Sequence, residues 1–150
     1  MRLQHFIDRL ERFAVLRGIT VHRTALGPWV LGRMQEKHVV LRCGLSKEQQ
    51  LLTLIHELTH FLAHSDGHER LDRTVCEYEA EAVERLVAGQ LGLKDAMQAP
   101  IDLATVTDDL LACSVARVRW VALVLCNAAR GAAPVARRAE CLQTQAAVEI

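Results

Sequence analysis

The chain has 150 residues, 51% of them hydrophobic, 24% charged and 4% aromatic, which excludes disordered, collagen-like and low-complexity classes. Eighteen basic residues balance eighteen acidic ones, and a local surplus of eight basic over three acidic within residues 1–42 is small, so nucleic acid and anionic membranes are weak expectations as partners. Five scattered cysteines without a CxxC pair, and an N-terminus interrupted by charges at 2, 8, 9, 11 and 12, point to free buried thiols in a single cytoplasmic domain over residues 1–150.

Apolar residues at 3, 6, 7, 10, 13 and 14 keep helical spacing, and Gly18 supplies a stop, so residues 2–17 are expected as an amphipathic helix. Three short stretches rich in β-branched and aromatic residues follow, 19–24, 29–33 and 37–43, read as a small antiparallel sheet. Ser46 with Gln49 three positions on forms a capping box for a helix over 47–63, which Gly67 breaks. A second helix is expected from about Glu69 to Leu91, closing at Gly92. Thr107 can cap a third, with Asp108 and Asp109 at the positive end of its dipole and a core stripe of Leu111, Val115, Val118, Ala122, Leu125 and Ala129. Residues 134–150 read as one more helix. The class is α+β and mainly helical, with a small antiparallel sheet preceding the helix over 47–63. The longest charge-free stretch near the C-terminus, residues 120–129, is about half of what a membrane helix needs.

That helix carries His56-Glu57-Leu58-Thr59-His60, an HExxH pentad, of which this composition yields only about 0.02 by chance. Leu51, Leu54, Ile55, Leu58, Phe61 and Leu62 fill one half of the helix, leaving Thr53, His56, Glu57, His60 and His64 on the other. Two histidines at i, i+4 offer neutral imidazoles to Zn2+ from one face, and Glu57 stands where it can act as general base on an activated water. The plainer alternative is a solvated polar face.

A catalytic zinc usually takes three protein ligands. Glu77 is the favoured third, with Glu81 one turn on to orient a ligand imidazole; Glu79, Asp66 and His68 stay open as alternatives. Arg70, Arg73, Glu77, Glu81 and Arg85 could equally make an ordinary charged face, and Glu77 could close a capping box with Thr74. His64, ahead of Tyr78, is the expected oxyanion donor. Cys76, beside Glu77, is the one cysteine to check as a ligand. An extended peptide could add to the strand over 37–43.

The run Val39-Val40-Leu41-Arg42, Leu45-Ser46 and Gln49, followed by HExxH and Glu77-Tyr78-Glu79-Ala80-Glu81, resembles the ImmA/IrrE-type zinc metallopeptidases of bacteria and their mobile elements. The string from His56 to His64 is also similar to the metallopeptidase domain of ArdC-type antirestriction proteins. The resemblance covers about residues 39–92 and implies a minimal zincin-like domain. Its gluzincin pattern implies Glu77 as third ligand with Glu81 behind it, and a narrow protein or peptide substrate such as a regulator. The chain departs from the pattern at Glu81, where Asn or Asp is commoner, at Val83-Glu84, and in lacking a Met-Pro after the second helix and any single-strand-binding domain. The expected function is therefore a zinc metalloendopeptidase. The alternative is a non-catalytic zinc-containing module that acts through a protein partner.

Overall fold

The computed structural model describes residues 2–65, 71–93 and 108–133. Among the described residues there are four helices, α1 (Arg2–Val15), α2 (Lys47–His64), α3 (Arg73–Leu91) and α4 (Asp108–Arg130), and three strands, β1 (Thr20–Thr24), β2 (Gly32–Gln35) and β3 (His38–Arg42); α1 and α2 pack on the sheet, and α3 and α4 pack on the helices. The architecture is mainly helical α+β.

The sheet order is β1-β3-β2. β2 and β3 are antiparallel through the two-residue turn Glu36-Lys37, with Gln35 opposite His38 and Gly32 opposite Leu41. β1 pairs with β3 in parallel, Thr20 opposite His38, so the sheet is mixed rather than wholly antiparallel. The segment between β1 and β2 explains this: it crosses from one side of β3 to the other instead of turning back on itself. Part of it, Gly27 to Val30, is a turn closed by the Val30 N–H donating to the Gly27 carbonyl. That turn also moves the start of β2 from the expected 29 to 32. Because β3 lies in the middle, both its edges are taken and a peptide cannot add to it; the edge nearest α2 belongs to β2.

The core is continuous across all the layers. Ile7, Leu10 and Ala14 of α1, Val39 and Leu41 of β3, Leu51, Leu54, Ile55 and Leu58 of α2, Val83 and Val87 of α3, and Val121, Leu125 and Ala129 of α4 are fully buried together. The apolar half expected for α2 is thus the half that packs, which turns the histidine half away from the core. α2 begins as expected: Ser46 accepts from the Gln49 N–H and the Gln49 side chain accepts from the Ser46 N–H.

α3 starts later than expected, at Arg73, because the Asp72 side chain accepts from the Thr74 N–H and caps it there. It ends at Gly92, whose φ of 80° suits a residue without Cβ. The expected α4 stripe packs against the core from Val118 onward, whereas Val115 is exposed; at that end polar contacts from Ser114 and Arg117 replace apolar ones. The 19-residue stretch Ala112–Arg130 is long and apolar enough to cross a membrane by length and composition alone, but its buried face packs as a core helix does. Cys126 is buried as expected. Cys43 and Cys113 are instead exposed and Cys76 is half-buried, since they sit at a strand end, on the outer face of α4 and in the first turn of α3. The tail helix expected over 134–150, Thr107, Cys141, Asp66, Gly67, His68, Glu69 and Arg70 lie outside the described residues.

Candidate metal centre

The i, i+4 spacing places His56 and His60 one turn apart on the half of α2 opposite its apolar stripe, both half-buried, and α3 crosses that face. The Nε2 atoms of His56 and His60 are 3.2 Å apart. Glu77 stands over them, with Oε2 3.2 Å from His56 Nε2 and Oε1 3.7 Å from His60 Nε2. One ligand atom from each of the three lies within 4.8 Å of the others. Two imidazole nitrogens and a carboxylate oxygen, converging from two packed helices and half-open to solvent, are a donor set that suits a transition metal of zinc type. Cys76 does not join this group among the described residues.

The far nitrogens of both histidines are engaged. His56 Nδ1 lies 3.3 Å from Glu84 Oε2. His60 Nδ1 lies 3.2 Å from His64 Nδ1, and His64 Nε2 lies 2.9 Å from Glu79 Oε2. Glu79 is almost wholly buried, with 2% exposure, and it is held by α4: Arg117 donates Nε to one carboxylate oxygen and Nη2 to the other, both at 2.8 Å, and the Ser114 hydroxyl donates to Oε1.

Burial would raise the Glu79 pKa, yet its bonds to His64, Arg117 and Ser114 outweigh that and hold it down at about 2. Burial opposes charge on His56 too, but the bond to Glu84 and the nearby Glu57, Glu84 and Glu77 carboxylates raise its pKa. His60 is lowered to about 4, by burial first and then by His56 beside it.

Glu57 is buried, at 7% exposure, between α2 and the edge of β2. Burial lifts its pKa to about 7 against the opposing pull of His56, and the Met34 N–H donates to it. Gly32 makes room for this approach: a Cβ there would collide with Thr53 Cγ2 and lie 3.4 Å from Glu57 Cγ. Arg42 N–H donates to the Leu31 carbonyl, so by strand alternation Gly32 and Met34 point their backbone groups outward, away from β3.

Several expected roles are redistributed. Glu81 does not stand behind a histidine; it is exposed and pairs with Arg85, and Glu84, one turn further along the Glu77 stripe, takes that place. Glu79, an alternative ligand, faces away from the cluster toward α4. His64 is 9% exposed and sits behind His60. Tyr78 is half-buried. Asp66 and His68 lie outside the described residues. The i+7 relation of Glu77 to Glu84 was the available sign for that carboxylate. Glu79 showed itself only as an acid flanking the apolar positions Cys76, Ala80 and Val83.

A helical α+β domain with a His-His-Glu cluster able to hold a metal has the general design of a metal-binding domain. More specifically, the chain belongs to the Peptidase_M78 family, the IrrE N-terminal-like domain, which it matches over residues 16–129. This is a metallopeptidase family, and the match extends well beyond the stretch over 39–92 that carries the sequence resemblance. No curated protein and no solved structure matches the chain.

Proposed function

We propose that the protein is a zinc-dependent endopeptidase acting on a specific protein or peptide, with His56, His60 and Glu77 as metal ligands and Glu57 as general base. The observation that carries this reading is the convergence of the two Nε2 atoms and the Glu77 carboxylate, with the Glu57 carboxyl next in sequence to His56 and tied to the Met34 N–H. Bound zinc would acidify a water and polarise the scissile carbonyl.

The protein's own groups do the rest. Glu57 takes the proton of the attacking water and delivers it to the leaving amide nitrogen. The outward N–H and carbonyl of Gly32 and the outward carbonyl of Met34, whose N–H is held by Glu57, can pair with an extended substrate along the edge of β2, laying its carbonyl beside Glu57. Trp29, 93% exposed, and Val30 and Leu31, both half-exposed, precede that edge and would touch substrate side chains.

Elemental mass spectrometry of purified protein tests the metal assignment. About one zinc per chain, lost in His60→Ala and Glu77→Ala but kept in Glu81→Ala and Glu57→Gln, is the expected pattern. Hydrolysis of a quenched fluorescent peptide library should then be seen for wild type and not for Glu57→Gln. A wild type that holds no zinc after reconstitution overturns the reading. A zinc-loaded Glu57→Gln variant that retains its biological activity would favour a binding module.

A further inference from the structure

The proposed reaction uses neither His64 nor Glu79, yet both are nearly buried and sit in one line with His60. Their hydrogen bonding can be worked outward from Glu79. Arg117 spans both of its oxygens and Ser114 donates to one, so this carboxylate is surrounded by donors and presents only lone pairs to His64. His64 must therefore carry its proton on Nε2, the atom 2.9 Å from Glu79. A neutral imidazole with a proton on Nε2 has a bare Nδ1. That bare nitrogen is 3.2 Å from His60 Nδ1, which must then be the donor. His60 in turn is left with an unprotonated Nε2, the atom that faces His56 and Glu77.

We propose that His64 and Glu79 are positioning residues that fix the tautomer and ring orientation of His60 so that Nε2 is the atom offered to the metal. The proposal rests on the reading of His60 as a ligand. On the neighbouring ligand the same task is done directly, by Glu84 against His56 Nδ1. On His60 it is relayed through a second imidazole, because the carboxylate on its Nδ1 side, Glu79, is turned toward α4 and stands one ring further away. The relay also brings α4 into the construction of the metal site, through Ser114 and Arg117, although α4 supplies no ligand among the described residues. In this role His64 is not the oxyanion donor expected from sequence: both of its nitrogens are occupied behind the site.

Long-range proton–nitrogen NMR spectra of histidine-labelled, metal-free wild type at about pH 8, where unperturbed histidine is neutral, read the tautomers without any metal or substrate. The expected result is a proton on Nδ1 of His60 and on Nε2 of His64; a proton on Nε2 of His60 overturns the proposal. Zinc affinity, measured by competition with a chromophoric chelator, gives a second readout. His64→Phe should bind zinc about 10–100-fold more weakly. His64→Asn, whose Oδ1 can accept where Nδ1 accepted, should recover most of that loss. Equal affinity in His64→Phe and wild type, or equal loss in both variants with the helical circular dichroism intact, overturns the proposal. If His64→Phe does not fold, the wild-type tautomers decide. A wild type without zinc affinity overturns the metal-centre reading itself, and the tautomers measured in metal-free protein still settle whether the relay exists.

Discussion

Replacing Glu57 with glutamine should stabilise the metal-free protein at alkaline pH, although Glu57 is the residue on which the proposed chemistry depends. Burial moves its pKa from 4.5 to about 7 in the folded chain. The folded state therefore holds a proton that the unfolded state releases, throughout the window between those values. The stability this contributes is complete below 4.5 and is lost as pH rises through 7. Each tenfold change in proton affinity is worth about 1.4 kcal/mol, so wild type should lose about 3 kcal/mol across the window through this group alone. The glutamine amide of the variant carries no proton to lose. Urea unfolding followed by circular dichroism in the presence of a chelator, at pH 4.5 and pH 8.5, should therefore show the difference between variant and wild type shifting by about 3 kcal/mol in favour of the variant. A difference that stays constant between the two pH values would refute the reasoning. Adding zinc should flatten the wild-type slope, since a cation beside the carboxylate favours its ionised form.

Other substitutions probe the supports of the site. Gly32→Ala should cost about 1–3 kcal/mol, since the added Cβ meets Thr53 Cγ2; combining it with Thr53→Ser, which removes that methyl, should recover at least half the loss in a double-mutant cycle. Arg117→Met strips the main partner from the buried Glu79 and should lower the unfolding free energy by about 3 kcal/mol in urea titrations. Ser46→Ala removes the cap of α2 and should cost about 1 kcal/mol by the same assay, with zinc content unchanged.

What could be read from sequence is what depends on one element at a time. The start of α2 is set by Ser46 and Gln49, its rotation by Leu51, Leu54, Ile55 and Leu58, and the closure of α3 by Gly92. The triad was accessible because two of its members share one helix face and the third sits near the start of the next helix. What escaped depends on how elements meet. The parallel pairing of β1 with β3 is a contact between segments separated by β2, and no local turn signal encodes it. The exchange of Glu81 for Glu84 follows from the crossing of α3 over α2, which decides which turn of α3 reaches His56 Nδ1. The burial of Glu79 follows from the docking of α4, whose Arg117 is just another charge in the sequence until the two helices pack. Val115 was expected in the core stripe for the same reason: periodicity gives a face, and only the neighbour gives its length.

The proposed relay would make the docking of α3 on α4 and the capture of a metal thermodynamically linked through the attachment of Glu79 to α4. If α4 holds the carboxylate that sets His64, then a metal bound at His60 must tighten the α3–α4 contact by the same factor by which that contact strengthens metal binding. A change that loosens α4 at a distance from the ligands would therefore weaken metal binding without altering the cleft. Conversely, metal supply would control how firmly α4 is held.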